Sequence, residues 1–442
     1  MSEQESTLDE FISDSTDNSD QKLEKKLRNL LEKDEAGVWG DEPNGNGVKV
    51  LRATNYAENG IDLNDVAVRD IPDSKRGSKE LELGDIVVER SGGSADQPVG
   101  RVLFFDLKGE YYHGNFLRQL RTKDSEINSR YLYYYLDYDY KRGGTKPLQT
   151  NTTNIRNLQY SSYLNQNIPV PLLSEQRKIA TILFTIDQAI EKTEEIKKQT
   201  QTVKKSLVQD VFHGHHKGFK EYQATPVGEI PAHWSVVSVG DVVHTAQYGI
   251  SESLSAEGQY PIFRMNNIEN GYMINEPLKY IDLDDEEFEK YRVKKGDILF
   301  NRTNSLELVG KTGIYELEGD HVFASYLVRL QANEKVDPYY LNHYMNSSEA
   351  QNRMMDFATK GVSQANINAN SIQQLQLPLP PIEEQEEIVD RLNSIDTQIE
   401  ANKRYKSQLS QLKQGLMQDL LSGTVRTTNT NIQVPDEVAQ YG

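Results

Sequence analysis

The chain contains one long segment twice. Residues 174–214 and 383–423 align without a gap at a constant offset, as shown by Glu175 and Glu384, which are 209 positions apart. Further identical pairs at this offset are Gln176 and Gln385, Asp187 and Asp396, Asp210 and Asp419, and Gly214 and Gly423. A repeat with so long a period indicates that the fold contains two copies of one structural unit.

Each copy has the apolar periodicity of a long coiled-coil helix. Apolar residues recur at alternating steps of three and four or their multiples, which is the narrow seam of a coiled coil rather than the wider stripe of a helix on a globular core. The predicted seam residues are Ile179, Leu183, Ile186, Ile190, Leu207, Ile388, Leu392, Ile395, Ile399 and Leu416. About 40 residues at roughly 1.5 Å each make a helix of about 60 Å. Such a helix needs a partner, and we predict that the two copies pair antiparallel.

Proline and glycine mark the ends of these helices. Prolines precede both helices, at positions 169 and 171 for the first and at 378, 380 and 381 for the second. Proline is tolerated at the start of a helix but not inside it, and glycine favours the position just past the end, which Gly214 and Gly423 occupy. We therefore predict spacer helices within residues 172–214 and 382–423.

One seam position is polar in both copies, as Thr193 and Asn402. A polar residue in a coiled-coil seam costs stability but can fix the register and orientation of the helices. Simple tolerance of a polar residue in the middle of a long helix explains the pattern equally well. The sequence leaves both interpretations open.

The segments outside the helices, residues 37–171 and 215–381, repeat more loosely. Corresponding motifs are Arg52–Asn55 with Arg264–Asn267 and Gly84-Asp85 with Gly296-Asp297. A Gly-Asp turn followed by apolar residues is typical of a turn into a β-strand. The sequence therefore predicts an α+β fold, in which two mixed α/β domains are joined by two long antiparallel coiled-coil helices with an internal two-fold repeat.

The two ends of the chain differ in composition from the repeat. Residues 1–20 hold seven Asp or Glu and no Lys or Arg, so we expect an acidic, disordered leader. Leucines at 23, 27, 30 and 31 then suggest a short helix, so that leader and helix together occupy residues 1–36. The threonine- and asparagine-rich residues 424–442 are expected to form a flexible tail.

The composition excludes several classes of protein. The mean hydropathy is −0.68, and no stretch approaches the roughly 18 apolar residues of a membrane span. The chain has no cysteine, which excludes disulfides and cysteine-ligated zinc. We therefore expect a cytoplasmic protein without a membrane partner.

The net charge of −18 argues at first against a polyanionic partner. Lys and Arg nevertheless outnumber Asp and Glu by nine to six in residues 101–146 and by six to two in residues 290–311. These stretches are either local contacts for an anion or ordinary fluctuation. The acidity itself fits either a high-salt cytoplasm or surface drift, and the sequence leaves both pairs of alternatives open.

Three motifs resemble catalytic or metal sites but lack an essential feature. Residues 308–312, LVGKT, resemble the end of a phosphate-binding loop, yet Ser305 stands where that loop needs glycine. His213, His215 and His216 could hold a metal, but a solvated linker between domains is the better interpretation. The Gly-Asp motifs lack the lysine of a nuclease, and methyltransferase motifs are absent from the sequence. We therefore predict no catalytic and no metal site.

The junctions before the two helices resemble those of type I restriction–modification specificity subunits. The residues that carry the resemblance are Pro-Leu-Pro-Pro-Ile-Glu-Glu-Gln at 378–385 and its weaker twin Pro-Val-Pro-Leu-Leu-Ser-Glu-Gln at 169–176. Val227-Gly228-Glu229-Ile230-Pro231 with Trp234 opens the second domain in that family's manner, whereas the first domain lacks such an opening. The resemblance covers about residues 37–425.

The resemblance implies a DNA-recognition subunit without catalytic activity. Its target-recognition domains, residues 37–171 and 215–381, would each read one half of a split site in double-stranded DNA. The two helices would be spacers around which methyltransferase and restriction subunits assemble. Adenosylmethionine, ATP and magnesium would belong to those partners, and this chain would bind no cofactor. The alternative function is a coiled-coil scaffold for other proteins that does not read DNA directly.

We predict the DNA contacts in a polar loop between two strands, flanked by basic residues. The first candidates are Arg90, Ser91 and Arg101 in the first domain and Arg302, Asn304 and Lys311 in the second. The second candidates are the glycine-flanked Lys141, Arg142 and Lys146, with Lys360, Ser363, Gln364 and Asn366 as a loose counterpart. Arginine pairs well with guanine, and asparagine or glutamine with adenine. Surface charge without any DNA contact is the alternative for each residue.

Overall fold

A computed structural model describes residues 23–441 of the 442-residue chain, except residues 44, 46, 58–59, 95, 153–154, 306–307 and 361–364. The expected acidic leader, residues 1–20, lies outside this described part. The chain divides into two compact units, of which unit 1 consists of Met1–Glu194 and Tyr405–Gly442 and unit 2 of Glu195–Arg404. Each unit therefore combines a globular part with a portion of both long helices.

The globular part of unit 1 is a mixed α/β structure. Its strands are β1 (Glu24–Lys26), β2 (Leu31–Ala36), β3 (Val48–Leu51), β4 (Ala67–Arg69), β5 (Ile86–Glu89), β6 (Ser91–Gly93), β7 (Val102–Phe104), β8 (Tyr111–His113), β9 (Leu117–Thr122), β10 (Gln149–Thr152), β11 (Ile155–Leu158) and β12 (Asn167–Pro169). Its helices are α1 (Asp73–Lys79), α2 (Ser129–Lys141) and α3 (Tyr160–Leu164), and the long helix α4 (Leu173–Phe212) follows. The sheets have the orders β2-β9-β5-β7, β4-β3-β8, β10-β11-β6 and β1-β12.

The globular part of unit 2 has the same class of structure. Its strands are β13 (Tyr222–Thr225), β14 (Gly228–Pro231), β15 (Ser235–Ser238), β16 (Val243–Tyr248), β17 (Tyr260–Phe263), β18 (Ile268–Glu269), β19 (Tyr272–Met273), β20 (Lys279–Ile281), β21 (Ile298–Asn301), β22 (Thr303–Asn304), β23 (Thr312–Ile314), β24 (Val322–Phe323), β25 (Leu327–Ala332), β26 (Thr359–Lys360), β27 (Ala365–Asn366) and β28 (Gln376–Leu379). Its helices are α5 (Val239–Val242), α6 (Asp285–Tyr291), α7 (Pro338–Met345), α8 (Ser348–Asp356) and α9 (Ala369–Ile372), and the long helix α10 (Ile382–Ser422) follows.

The sheets of the two units correspond almost strand for strand. The sheet β2-β9-β5-β7 of unit 1 has its counterpart in β16-β25-β21-β23, which β19 and β18 extend in unit 2. The sheets β4-β3-β8, β10-β11-β6 and β1-β12 match β20-β17-β24, β26-β27-β22 and β15-β28. The hairpin β13-β14 has no counterpart among the described residues of unit 1. The predicted α+β class and the internal repeat with two long helices are therefore confirmed.

The Gly-Asp motif forms the same turn in both units. The carboxylate of Asp85 accepts a hydrogen bond from the backbone N–H of Glu82 at 2.7 Å, just before β5. Asp297 accepts one from Lys294 at 2.9 Å before β21. The glycine before each aspartate has a positive φ, 92° and 89°, which a side chain would strain. The motif is therefore a turn into a core strand.

The glutamine of each junction motif anchors the start of a long helix. In unit 2 the amide oxygen of Gln385 accepts a hydrogen bond from the backbone N–H of Asp337 at 2.8 Å, and its amide nitrogen donates to two backbone carbonyl oxygens at 2.9 and 3.1 Å. In unit 1 Gln176 accepts from the backbone N–H of Asn128 at 2.8 Å. The glutamine thus ties the first turn of α10 or α4 to the residue that caps α7 or α2.

The glutamate before each glutamine binds the segment that follows the other long helix. In unit 1 the carboxylate of Glu175 accepts two hydrogen bonds from Arg426, at 2.8 and 2.7 Å. In unit 2 Glu384 accepts one from the indole N–H of Trp234 at 3.1 Å and lies 2.9 Å from Nε2 of His233. In each unit, the glutamate at the start of one long helix therefore binds residues that follow the end of the other long helix.

The long helices pair antiparallel. The ion pairs that join them are Asp187–Lys413 and Glu194–Lys406 in unit 1 and Lys204–Asp396 in unit 2. Residue numbers rise along α4 in the direction in which they fall along α10, as the sequence predicted. The seam residues Ile179, Leu183, Ile186, Ile190, Ile388 and Leu392 are buried. The other four, Leu207, Ile395, Ile399 and Leu416, are half-buried.

The polar seam residue Thr193 is buried, and its hydroxyl donates to the carbonyl oxygen of Ala189 at 2.7 Å. Its hydrogen-bonding capacity is thus met within its own helix, as is common for threonine in helices. Asn402, at the same position of the second copy, is half-buried. These contacts fit tolerance of a polar residue and give no sign of a bond that fixes the register.

The beginning of unit 1 differs from the structure predicted from the sequence. The short helix predicted from four leucines is instead β1, a 3₁₀ turn at Leu27–Leu30 and β2. β1 pairs with β12, and β2 pairs with β9, so this segment belongs to the sheets of the first domain. Leu27 and Leu30 are fully buried because both point into the core from the turn. The domain therefore starts near residue 24 rather than at residue 37.

The end of the chain also differs from the expectation of a flexible tail. Residues beyond α10 form the short helix α11 (Asp436–Ala439) and pack on unit 1. The side-chain amide of Asn128 donates to the carbonyl oxygen of Val438 at 3.0 Å, and the backbone N–H of Ser129 donates to that of Tyr441 at 2.8 Å. Val438 and Tyr441 are buried in the core. The polar composition of residues 424–442 predicted a flexible tail, but the burial of Val438 and Tyr441 holds this segment against the rest of unit 1.

Candidate nucleic-acid interface

A small three-stranded sheet in each unit carries part of the predicted contacts. Its order is β10-β11-β6 in unit 1 and β26-β27-β22 in unit 2. The strand that joins it to the core, β6 or β22, starts two residues after the end of the buried strand β5 or β21. A short polar sheet at the end of a rigid core strand can present side chains in a fixed geometry.

In unit 2 this sheet brings Arg302 beside Asn366. Nη2 of Arg302 donates to Oδ1 of Asn366 at 3.3 Å, and Nδ2 of Asn366 donates to the hydroxyl of Thr303 at 2.7 Å. Arg302 also donates to the carbonyl oxygen of Ser325 at 3.3 Å, and its guanidinium carbon lies 4.8 Å from the ring centroid of Tyr248. A guanidinium and an amide, the groups that read guanine and adenine, are thus held next to each other.

Asn304 and Lys311 lie on either side of this cluster in the sequence. Oδ1 of Asn304 accepts a hydrogen bond from the backbone N–H of Ser305 at 2.8 Å. Lys311 is exposed, and its ammonium group has no partner among the described residues. Its backbone carbonyl oxygen accepts from Asn301, a buried and uncharged residue, at 2.8 Å. Lys311 is therefore available to an anion.

Arg101 holds the equivalent place in unit 1 but has an internal partner. Its Nε donates to the carboxylate of Glu89 at 2.7 Å, and its Nη2 donates to the carbonyl oxygen of Ala53 at 3.1 Å. The side chain of Glu89 is only 3% exposed. Burial lowers the pKa of Arg101, the hydrogen bond to Glu89 raises it, and the net shift is upward. The expected DNA contact is therefore an internal ion pair, because unit 1 has an acid where unit 2 has Asn301.

Arg90 and Ser91 have different environments. Arg90 is exposed, and its backbone is fixed by hydrogen bonds to Phe116 at 2.8 Å and from Leu158 at 2.8 Å. Ser91 is buried on β6, opposite Asn157 on β11. Of these two predicted contacts, only Arg90 presents its side chain at the surface.

The second group of candidates in unit 1 lies at the end of α2. Lys141 forms an ion pair with Asp137 at 2.7 Å, and Arg142 forms one with Asp139 at 2.8 Å. Both cations remain about half exposed, at 54% of their side-chain surface, and Lys146 is exposed as well. Their charges are partly neutralised within one helix turn and stay accessible to a partner.

The counterpart assigned to this second group is wrong. Asn366 pairs with Thr303 in one unit as Asn157 pairs with Ser91 in the other, so hairpin β26-β27 matches β10-β11 rather than residues 141–146. The two segments were matched because both contain lysine and glycine. The constant offset of 209 residues relates Asn366 to Asn157 instead. Lys360 lies on β26, and Ser363 and Gln364 lie outside the described residues. Asn157 and Arg156 on β11 are therefore additional candidates.

The motifs considered as catalytic or metal sites have structural partners. The N–H of Gly310 donates to the carbonyl oxygen of Asn301 at 2.9 Å, so the LVGKT segment is a turn before β23. Nε2 of His213 lies 3.0 Å from the carboxylate of Glu349, and its Nδ1 lies 3.0 Å from the carbonyl oxygen of Glu229. Within the described ranges, three or more His, Asp or Glu side chains nowhere gather as metal ligands do. The same ranges contain no helix with the length and apolar character needed to cross a membrane.

Several known proteins are similar to this chain in sequence. Residues 39–201 and 231–411 match the family described as Type I restriction modification DNA specificity domain. A protein of Methanocaldococcus jannaschii assigned as the type I restriction enzyme MjaX specificity subunit is 27% identical over 424 residues, which cover 91% of this chain and 93% of the relative. The type I restriction enzyme EcoKI specificity subunit of Escherichia coli is 25% identical over 351 residues, covering 78% and 75%.

A solved structure shares the fold. The crystal structure of a type I restriction-modification system S subunit from M. genitalium superposes with a TM-score of 0.57 over 92% of this chain and 97% of that chain, at 14% identity. At this level of identity the likeness concerns the fold alone. The family match, by contrast, takes in the globular parts of both units and most of the two long helices. This chain therefore belongs to the family of type I restriction–modification DNA specificity subunits.

Proposed function

We propose that this chain is the non-catalytic subunit that selects the DNA target of a type I restriction–modification complex. Each unit reads one half of a bipartite site in double-stranded DNA. The observation that carries the proposal is the repeated small sheet, which places Arg302 with Asn366 in unit 2 and Arg90 near the strand of Asn157 in unit 1. Arginine and asparagine are the side chains whose paired hydrogen bonds distinguish guanine and adenine.

The negative net charge is compatible with this role. Repulsion between exposed charges is screened beyond about 10 Å at 0.1 M salt. At contact distance, nearby cations matter more than the net charge. The exposed cations Arg90, Lys146 and Lys311 each lie in or near the loops of the proposed interface, where they can bind phosphates. Partner subunits supply the remaining positive charge that a complex with DNA needs. The chain acts in the cytoplasm, where its DNA substrate is found in a bacterial or archaeal cell.

The long helices carry apolar residues that the seam does not use. Ile196 and Val203 of α4, in unit 2, are 41% and 58% exposed, and Tyr405 and Leu412 of α10, in unit 1, are each 52% exposed. Both pairs have the seven-residue spacing of a coiled-coil stripe, and the same offset of 209 relates them. Because the stripe occurs once on each helix, it supports two copies of one helical partner, which we take to be the methyltransferase subunit. Restriction subunits join this assembly.

The reaction chemistry resides in the partners. We propose that adenosylmethionine binds the methyltransferase subunits and that ATP and Mg²⁺ bind the restriction subunits. This chain positions DNA and binds none of these groups. Methylation and cleavage by the reconstituted complex, compared with the isolated chain, test this division of labour. Methylation by the isolated chain would contradict it.

Site selection can be tested with Arg302→Gln and Asn366→Ala in the complete complex. We expect each variant to lower the affinity for the target duplex and to relax the sequence requirement in one half of the methylated site only. Lys403→Gln removes one positive charge from the long helix of unit 2, where Lys403 pairs with Glu269, and serves as the control. Methylation mapping on a random library and fluorescence anisotropy are the measurements.

The alternative function, a protein scaffold that does not read DNA, makes a different prediction. In that case the chain with its methyltransferase partner binds target and scrambled duplexes equally. The complex would still assemble, and Val203→Glu or Leu412→Glu would still reduce the number of methyltransferase subunits per chain. Equal affinity for both duplexes would refute the DNA-reading function and leave the scaffold.

A further inference from the structure

Unit 2 contains a cavity that the predicted DNA contacts do not include. Its volume is about 600 Å³, and three segments line it, residues 250–254, 264–266 and 324–326. Backbone hydrogen bonds join these segments. The N–H of Ile250 donates to Phe323 at 2.9 Å, that of Ser325 donates to Ile250 at 2.8 Å, and that of Ala324 donates to Phe263 at 2.9 Å. The walls are therefore preformed.

The approach of two of these walls depends on Gly249. A Cβ atom at this position would overlap the carbonyl oxygens of Phe323 and Ala324. Any other residue would push the 250–254 segment away from the 324–326 segment. Direct backbone contact therefore fixes the 250–254 segment against the 324–326 segment, since no side chain separates the two.

The cavity adjoins the candidate interface. The backbone N–H of Arg302 donates to the carbonyl oxygen of Tyr326 at 3.0 Å, and its guanidinium donates to that of Ser325 at 3.3 Å. The wall formed by these two residues thus separates the cavity from the cluster of Arg302 and Asn366. The cluster and the cavity therefore share this wall.

The side chains around the cavity suit a base edge better than a phosphate. Arg264 supplies one cation and Glu252 one carboxylate, so the lining lacks the positive excess that a phosphate site needs. Asn266 is exposed, and its amide has no hydrogen-bond partner among the described residues. Tyr326 is 47% exposed and offers an aromatic face. Donors, acceptors and an apolar surface in one place match the edge of a nucleobase.

Unit 1 is packed differently at the corresponding place. Trp39 stands where unit 2 has Ser251, and a Cβ on Gly114 would lie only 3.5 Å from its indole ring. The guanidinium of Arg69 stacks on that ring at 4.4 Å. Arg52, the counterpart of Arg264, forms an ion pair with Asp65 at 2.8 Å. In unit 1 the equivalent arginine is thus already paired, an indole covers part of the corresponding surface, and Thr54 replaces the amide of Asn266 with a shorter hydroxyl.

We propose that the cavity of unit 2 reads a base edge in the major groove, with Asn266 as the reading side chain and Arg264 and Tyr326 supporting it. The proposal rests on the proposed function, because it adds a reading residue to the half-site of unit 2. An adenine is the expected base, since its N6 and N7 match the donor and acceptor of an asparagine amide. Unit 1 has no equivalent contact, so the two half-sites are read by different sets of residues.

The test is Asn266→Ala in the full chain assembled with its methyltransferase subunits. A good bidentate base contact corresponds to a loss of about 5- to 150-fold in affinity for the target. We expect this loss together with indifference to the base pair at one position of one half-site, measured by anisotropy on single-substitution duplexes and by methylation mapping. The other half-site stays unchanged. Because the side chain of Asn266 makes no hydrogen bond within the described part of the chain, thermal unfolding should equal that of the parent chain.

Thr54→Ala is the matched control, since Thr54 occupies the corresponding place in unit 1 and is exposed. It should change neither affinity nor site choice. Unchanged target selection in Asn266→Ala, in a complex that still prefers its target to scrambled DNA, overturns the cavity proposal and leaves the proposed function standing. A uniform loss on all sequences with a smaller salt dependence indicates a phosphate contact and also overturns it. A parent complex without any sequence preference refutes the proposed function itself.

Discussion

The ammonium group of Lys413 lies 2.5 Å from a carboxylate oxygen of Asp187, which joins α10 to α4 inside unit 1. The hydroxyl of Tyr134 donates to the other carboxylate oxygen at 2.8 Å. In unit 2 the pair Lys204 and Asp396 has the same residue types at an offset of 209. Each long helix thus supplies the aspartate in one unit and the lysine in the other.

Replacing Lys413 by Met should destabilise unit 1. The side chains of Lys413 and Asp187 are only 9% and 21% exposed, so the variant leaves a carboxylate poorly solvated and without its cation. We expect a loss of about 3 kcal/mol in the free energy of unfolding. Urea unfolding with hydrogen exchange in α2 measures it. The double variant with Asp187→Asn should recover most of the loss, and a double variant as unstable as the single one would contradict the explanation.

Lys204→Met is the matched control for this prediction. It leaves the carboxylate of Asp396, whose side chain is 14% exposed against 21% for Asp187, without its cation. We therefore expect a loss of similar size, confined to unit 2. A loss that appeared in unit 1 as well would contradict the assignment of each ion pair to its own unit.

Gln385→Ala should weaken the contact between α10 and α7. The variant leaves the N–H of Asp337 and two carbonyl oxygens without their partner in a buried place. An unsatisfied buried group costs about 1–3 kcal/mol, so we expect a loss of about 2–3 kcal/mol in the stability of unit 2. Amide exchange in the first turn of α7 should accelerate. Gln398→Ala, at an exposed site of the same helix, should change neither measurement.

His113 predicts a pH dependence of unit 1. Burial lowers the pKa of His113 to about 4. The unfolded chain then binds a proton near pH 6.5 that the folded unit does not, so the stability is complete above pH 6.5 and falls as the pH drops toward 4. The loss reaches about 3 kcal/mol.

His113→Phe should remove this pH dependence, because Phe323 occupies the corresponding place of unit 2 and is fully buried there. Hydrogen exchange in β8 between pH 4.5 and pH 7 reports on unit 1 separately from the other histidines. A profile of the variant as steep as that of the parent chain would assign the pH dependence to other groups.

Glu89→Asn should release Arg101 for DNA. Asparagine is the residue of unit 2 at this place, and it removes the carboxylate that holds the guanidinium at 2.7 Å. One more available cation should raise the non-specific affinity of the complex and steepen its salt dependence by about one counterion. The converse variant, Asn301→Glu, should form an ion pair with Lys311. It should therefore lower the non-specific affinity and make the salt dependence shallower. Anisotropy from 0.1 to 0.5 M KCl tests both, and identical slopes would contradict them.

The features predictable from the sequence are those that repeat or recur locally. The spacing of the seam residues predicted the two long helices, and the Gly-Asp motif predicted the turn before β5 and before β21. Both depend on residues close in the chain. The pairing of the two helices followed from the repeat itself, because each copy offered the other its apolar face.

Other features depended on partners far away in the chain. Leu27 and Leu30 have helical spacing, yet β1 and β2 form because β12 and β9 offer free edges. Arg101 was predicted to be a surface cation, but it forms an ion pair with Glu89 at the end of β5. The cavity near Asn266 results from three segments that no local pattern connects. Such sites become visible only when the strand pairings are known.

The closure of unit 1 by Arg426 and Tyr441 has a consequence for synthesis. Unit 2 is a continuous stretch, Glu195–Arg404, whereas unit 1 needs Tyr405–Gly442 from the end of the chain. The first domain therefore leaves the ribosome before the second, but it cannot bury Glu175 or complete its core until residues 405–441 have also emerged. The second domain completes its contacts earlier. In a newly made chain the order of folding is thus the reverse of the order of sequence, and the synthesis of residues 405–441 decides when the first domain becomes stable.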